Sequence, residues 1–258
     1  MKILLRSKNK VENINIEVDC VNHQLFGMTL AEIKKIVVHE GNLERSLGDF
    51  FDVTLEDAKG KGRLIVLEGD DLSKFKRIGE ALAEGEIQVN GDGGMYCGYR
   101  MSGGRIVVEG NCDAFCGMDM SGGELVIKGN ASDYLGAAYR GESAGMKGGR
   151  ITVHGNAGVE VGSRLAGGTI VIKGDTDLFT GIHMKKGLIV IEGTAGPRVG
   201  AQMTGGTIVL SKGELMLGFK EGGSIKDPEI EGEGFSGDFK TFTGDLVENG
   251  KGTILVME

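Results

Sequence analysis

Between residues 79 and 212 the apolar and glycine positions follow one template, G-x-x-M/L-x-x-G-x-I/L-x-V/I-x-G, seven times. The segments are Gly79–Gly91, Gly98–Gly110, Gly117–Gly129, Ser143–Gly155, Gly162–Gly174, Gly181–Gly193 and Gly200–Lys212. Their starts lie 19 residues apart, except for one step of 26 between 117 and 143. Seven extra residues therefore fall between Asn130 and Lys147. Three positions depart from the template: Ser143 stands where glycine is expected, Leu210 where Val or Ile is, and Gly213 is displaced by one.

A period of 19 is too short for repeats built on helix pairs, which need about 30 residues or more. It suits one coil of short strands joined by glycine turns. Within each repeat the apolar residues alternate with period two, as a half-buried strand requires. Pairs such as Ile87/Val89, Ile106/Val108, Leu125/Ile127 and Ile170/Ile172 then point inward. So does the column Leu82, Met101, Met120, Met146, Leu165, Met184, Met203. Coils stacked at about 4.8 Å make equivalent residues neighbours. The outward column Glu86, Arg105, Glu124, Arg150 alternates in sign, and Lys173 falls beside Glu192. Opposite charges facing across strands are favourable. The expected fold is all-β: a parallel, right-handed β-helix solenoid of about seven 19-residue coils with small α+β capping ends.

The chain divides accordingly into an N-terminal cap (1–78), the glycine-rich repeats (79–212) and a C-terminal cap or tail (213–258). In the first, Thr29-Leu-Ala-Glu32 is a capping-box start for a helix to about Lys35. Strand-like runs follow at Ile36–His39 and Arg63–Leu67, the second as an irregular opening coil. The tail gathers Phe235, Phe239 and Phe242.

Composition removes several alternatives. The 47 glycines among 258 residues show no G-X-Y period, so collagen is excluded. A formal net charge of −8 argues against a general nucleic-acid binder. No apolar run approaches the roughly 18 residues of a membrane helix, and residues 1–10 lack a signal-peptide core. The expectation is a cytoplasmic chain that contacts neither nucleic acid nor membrane.

Candidate chemistry is sparse. The Gly-Gly pairs from Gly103-Gly104 to Gly205-Gly206 recur at coil corners, without the strand-loop-helix setting of a phosphate loop. Cys97 stacks on Cys116, and Cys112 lies four residues before it, so a three-thiol metal site is conceivable. The column continues as Leu135, Val161, Thr180 and Val199, which reads as core filler. Four cysteines, unevenly spaced, do not make a disulfide framework. His23, His39, His154 and His183 share no motif. The expected catalytic, cofactor-binding and metal-binding residues on this chain are none.

Two features suggest partners. An outward column of β-branched residues includes Val107, Val126, Val171 and Val190; it is either a contact stripe, a strand-propensity effect or a surface beneath the tail. The insertion holds Tyr134, Tyr139, Arg140 and Glu142, and tyrosine and arginine are residues that anchor interfaces.

The tandem repeats and the insertion Tyr139-Arg-Gly-Glu-Ser-Ala-Gly-Met146 resemble the C subunit of formylmethanofuran dehydrogenase. Leu47-Gly-Asp-Phe-Phe51 and Lys76-Arg-Ile-Gly79 are similar to that protein's N-terminal region. The same β-helix occurs as the C-terminal domain of glutamate synthase. The resemblance implies a non-catalytic scaffold in an oxidoreductase complex with a ferredoxin-type electron donor. That complex reduces CO2 to formate and condenses it with methanofuran, in the first step of methanogenesis from CO2. It implies molybdopterin-type, amidohydrolase-type and iron–sulfur subunits as partners. They would hold a tungsten- or molybdenum-pterin, a dinuclear metal centre and iron–sulfur clusters, with no cofactor on this chain. The alternatives are a β-helix subunit of a formyltransferase/hydrolase complex or of a glutamate-synthase-type amidotransferase.

Overall fold

The computed structural model describes residues 1–8, 16–58, 60, 62–215 and 217–258. The chain is mostly strand, with short α-helices at Leu30–Lys35 and Leu47–Phe50. The first helix begins as its sequence predicts: the Glu32 carboxylate accepts from the Thr29 backbone N–H at 2.8 Å, and Glu32 N–H donates to Thr29 Oγ1. The predicted runs at 36–39 and 63–67 appear one residue later, as strands Val37–Glu40 and Leu64–Glu68.

A 13-stranded mixed sheet organises the molecule. Its middle is wholly parallel and follows the repeat, pairing Ile87 with Ile106, Ile106 with Leu125, Leu125 with Ile151, Ile151 with Ile170 and Ile170 with Ile189. A second parallel series of bridges joins Gly93, Cys112, Ala131, Ala157, Thr176 and Ala195. A third runs through the glycine corners, where Gly98, Gly117, Gly136 and Gly162 donate to carbonyls one repeat earlier. Each repeat is thus hydrogen-bonded to the next along three separate stretches. Between them lies one apolar interior. Leu82, Met101, Met120, Met146, Leu165, Met184 and Met203 are fully buried, as are Ile87, Ile106, Leu125, Ile151, Ile170 and Ile189. Outside, Arg105 bridges Glu86 (3.8 Å) and Glu124 (2.7 Å), and Lys173 pairs with Glu192. Arg150 departs from the alternating column by pairing with Glu233 of the tail.

The long step in the repeat is resolved differently from the template alignment. The corner of that coil is Gly136, not Ser143. Gly136 lies 19 residues after Gly117 and shares its left-handed φ of +63°. Met146 N–H donates to Gly136 O, as Met101 does to Gly98 and Met120 to Gly117. Ala138 still donates to Ser163 O in the regular pattern, so the seven extra residues are 139–145, looped out within a coil. The displaced Gly213 is a one-residue slip of register: Thr194 pairs with Lys212 and Ala195 with Gly213, a spacing of 18.

Both ends change from parallel to antiparallel pairing. Strand Gly252–Met257 lies parallel on Thr207–Leu215, and Asp238–Gly244 and Lys220–Lys226 follow antiparallel. At the other end Lys2–Ser7 lies parallel on Leu64–Glu68 and is edged antiparallel by Phe51–Glu56. The tail also folds back over the outer valine column. Phe239, 1% exposed, packs with Val171, Leu188, Val190, Val209 and Leu255.

The Gly-Gly corners divide two tasks. A Cβ on Gly148 would sit 2.5 Å from the Ser121 carbonyl oxygen of the coil below, so that position has no room for a side chain. Gly149 follows at φ +87°, where L-residues are strained. A second device was not read from the sequence. The side-chain oxygens of Asp92, Asn111, Asn130, Asn156 and Asp175 each accept the backbone N–H of the equivalent residue one repeat on, at 2.6–2.9 Å. This Asx ladder satisfies one outer N–H per coil in a turn that leaves it no carbonyl partner.

Candidate interaction surface

One corner of the stack carries non-glycine residues in the left-handed region, coil after coil. Arg77, Tyr96, Phe115, Tyr134, Glu160, Phe179 and Arg198 occupy equivalent places at φ +55° to +67°. This conformation costs an L-residue about 1–2 kcal/mol. Stacking of their rings offsets part of it. Tyr96 and Phe115 lie 5.0 Å apart at 9°, and Phe115 and Tyr134 lie 4.9 Å apart at 6°. Offset aromatic pairs contribute about 0.5–1.5 kcal/mol each. Arg77 lies over Tyr96 and Tyr99, Arg100 over Tyr99, and Arg198 over Phe179.

Tyr134 is therefore a member of this regular column and lies outside the looped-out segment, which corrects its assignment to the insertion. Tyr139, Arg140 and Glu142 do belong to the loop. All three are exposed, Tyr139 at 50%. The loop is tied down at several points: Glu142 N–H donates to Tyr139 O, Gly145 N–H to Arg164 O, and Lys185 Nζ to Ser143 O at 2.6 Å. It also reaches the aromatic column. Burial raises the Tyr96 hydroxyl above its ordinary range, with smaller influences from Tyr139, Arg77, Tyr99 and Arg140.

Under the loop sits Asp119, whose side chain is 9% exposed. Among the described residues its Oδ1 has no hydrogen-bond partner, and Oδ2 is 4.0 Å from Arg100 Nε. Burial raises its carboxyl above the usual range, opposed by Lys147 and Arg100 and reinforced by Glu142. In the following repeats the same place holds Ala138, then Arg164 and His183. Burial lowers the His183 imidazole, and Arg164 adds to the effect.

The valines are placed otherwise than an open stripe would be. Val107, Val126, Val171 and Val190 are only 5–7% exposed. Val171 and Val190 lie beneath Phe239, the covering that the third of the alternatives describes, and they are not surface.

The cysteines divide. Cys97 is fully buried, and burial pushes its thiol up to about 12. Cys112 and Cys116 form a disulfide, which corrects the expectation that the cysteines make none and that Cys116, stacked on Cys97, is core filler. Four residues of extended strand would hold two thiols too far apart, but the left-handed Phe115 folds the corner back and brings their Cα atoms to 6.8 Å. Further along the stack, Thr176 and Thr180 occupy the same two places and are hydrogen-bonded at 2.9 Å. Among the described residues no group of three His, Cys, Asp or Glu side chains could hold a metal ion. No helix among them is long and apolar enough to cross a membrane.

These features define a class: a mostly β chain of glycine-cornered repeats, with a column of aromatic and arginine side chains along one edge. No family model matches the chain. Particular proteins do. It is 40% identical over 86 residues to the C subunit of molybdenum-containing formylmethanofuran dehydrogenase 1 of Methanothermobacter marburgensis, covering 33% of this chain and 21% of that protein. It is 46% identical over 98 residues to the C subunit of the tungsten-containing dehydrogenase 2 of the same organism, covering 38% of this chain and 36% of that one. The matched segment thus spans between about a fifth and a third of these curated relatives. A chain in the crystal structure of the formyltransferase/hydrolase complex (FhcABCD) from Methylorubrum extorquens, in complex with methylofuran, matches over 99% of both chains. The TM-score is 0.87 and the identity 26%. The resemblance to the C subunit of formylmethanofuran dehydrogenase read from the repeats is therefore matched by named relatives, and the structural neighbour belongs to a complex of several subunits.

Proposed function

We propose that the chain is a non-catalytic scaffold in a formylmethanofuran dehydrogenase-type complex, which reduces CO2 to formate and condenses it with methanofuran. The observation that carries this is the match over 99% of the chain to a component of a larger assembly, together with identity to the dehydrogenase C subunits. Residues 79–212 are read as a right-handed parallel β-helix, with 1–78 and 213–258 as its caps. The three parallel hydrogen-bonded stretches between successive repeats support that winding. Among the described residues no cluster of His, Cys, Asp or Glu is arranged to hold a metal ion. Two of the clustered cysteines are joined to each other, and the third is buried as a high-pKa thiol. The metals and pterin of such a complex are assigned to its molybdopterin-type and iron–sulfur subunits.

A second reading is favoured by one observation: the full-length match is to a formyltransferase/hydrolase complex, whereas the dehydrogenase subunits match over shorter segments. Affinity purification of the tagged chain from its own cells, followed by identification of the bound subunits, separates them. Molybdopterin-type and iron–sulfur subunits are expected. Formyltransferase and amidohydrolase-type subunits without redox partners would select the second reading. Glutaminase or flavin-synthase chains would overturn both.

A further inference from the structure

The ten arginines of the chain fall into two groups. Those away from the aromatic corner are each held in an ion pair: Arg6 with Glu68, Arg45 with Glu40, Arg63 with Glu84, Arg105 with Glu124, and Arg150 with Glu233. Those on the corner are held less uniformly. Arg77 pairs with Glu80, but Arg100 comes only within 4.0 Å of Asp119. Arg140, Arg164 and Arg198 make no ion pair among the described residues. Arg100, Arg140 and Arg198 are exposed, in a chain whose net charge is −8. The same corner holds all four tyrosines of the chain, Tyr96, Tyr99, Tyr134 and Tyr139.

We infer that this corner is the surface on which a different polypeptide of the complex docks, and that the docking partner brings Asp or Glu side chains to Arg100, Arg140 and Arg198. The inference rests on the scaffold reading above and adds the face and the chemistry of its occupant. Exposed guanidiniums beside aromatic rings are the composition of interface centres: the fork of an arginine meets a carboxylate through two parallel hydrogen bonds. Tyrosine supplies contact area with little conformational freedom to lose. A second copy of this chain fits poorly, because a two-fold contact through this corner sets unpaired arginines against arginines. Glu142 and Glu160 share the face, so the partner is not uniformly acidic. Its carboxylates lie opposite the three exposed arginines.

The tyrosines give the test a direct reporter, since a tyrosine-selective reagent reads this face alone. The purified complex and the free full-length chain are treated with tetranitromethane, and nitration is mapped by mass spectrometry. Tyr139 and Tyr96 are expected to be nitrated in the free chain and protected at least fivefold in the complex. Arg140→Glu with Arg198→Glu is expected to cut the retained partner at least tenfold without lowering the chain's melting temperature, while Arg140→Lys with Arg198→Lys retains most of it. Equal nitration of Tyr139 in the complex and the free chain, with all subunits present, overturns the docking face and leaves the scaffold reading intact. Protection that appears in a pure dimer of this chain overturns the choice of occupant. If the tagged chain retains no subunits at all, the scaffold reading falls and this inference falls with it.

Discussion

Replacing Gly148 by alanine tests the stacking directly. The new Cβ would lie 2.5 Å from the Ser121 carbonyl oxygen and 3.2 Å from its carbonyl carbon. An ordinary contact needs at least about 3.4 Å, so the two coils must separate by close to 1 Å at that corner. The obstacle is backbone and has no rotamer through which to yield. Neighbouring hydrogen bonds would lengthen, among them Lys147 N–H to Met120 O at 2.7 Å. Weakening two such bonds costs about 1 kcal/mol each, and overpacking adds about 1–3 kcal/mol. The expected loss is about 2–4 kcal/mol, which lowers the melting temperature of a chain this size by roughly 5–15 °C. Gly234→Ala is the control, because nothing lies within 4 Å of its Cβ position and its φ is not left-handed. It should be neutral or stabilising by about 0.5 kcal/mol, through a less flexible unfolded chain. Thermal melts followed by circular dichroism compare the two. Melting points within about 2 °C of one another would refute the account of the paired glycines.

Two further outcomes follow from the same geometry. Asp119 has a raised carboxyl pKa, so the native state holds its proton more tightly than the unfolded chain. Stability is then lost as pH rises from the ordinary value of 3.8 through the raised one. Asp119→Asn should therefore stabilise the chain at neutral pH, with the advantage shrinking as pH falls towards the ordinary carboxyl value of 3.8; parallel pH–stability curves for the two proteins contradict this. Phe239→Ala should cost about 3–5 kcal/mol of local packing and expose the tail, so that limited proteolysis accelerates within 220–238 while the coils resist; first cleavage between coils would show that the tail is not an independent lid.

The strand columns were legible because two periods coincide in them. Alternation sets which residues point inward, and the spacing of 19 sets which ones meet, so Ile106 over Ile87 needed no structure. The helix at Leu30–Lys35 was legible from Thr29 and Glu32 alone, since a capping box is local. The looped-out segment falls within the expected 130–147, but its corner does not: Ser143 aligns with the template glycine seven residues past the true corner, Gly136, which lies at the right spacing from Gly117 inside the stretch expected to hold the insertion. The Asx ladder was missed because its residues look like loop punctuation. Asn130 has no evident partner until the backbone of Asn156 lies above it. The aromatic corner was invisible for a related reason: left-handed places are normally filled by Gly, Asn or Asp, and Tyr96, Phe115 and Tyr134 run against that preference. The disulfide depended on the same unforeseen fold-back.

The loop at 139–145 leaves the coils on either side of it undisturbed, pairing Leu125 with Ile151 as if nothing intervened. Length can therefore enter this molecule in two independent ways. Seven residues added inside a coil change only what protrudes from one edge. Nineteen residues added as a whole repeat would add one strand to the parallel series and move Leu64–Glu68 and Gly252–Met257 apart by about 4.8 Å. The stack is graduated like a measuring rod. The strands that flank the parallel series, Leu64–Glu68 and Gly252–Met257, are set at a distance counted in whole strand spacings.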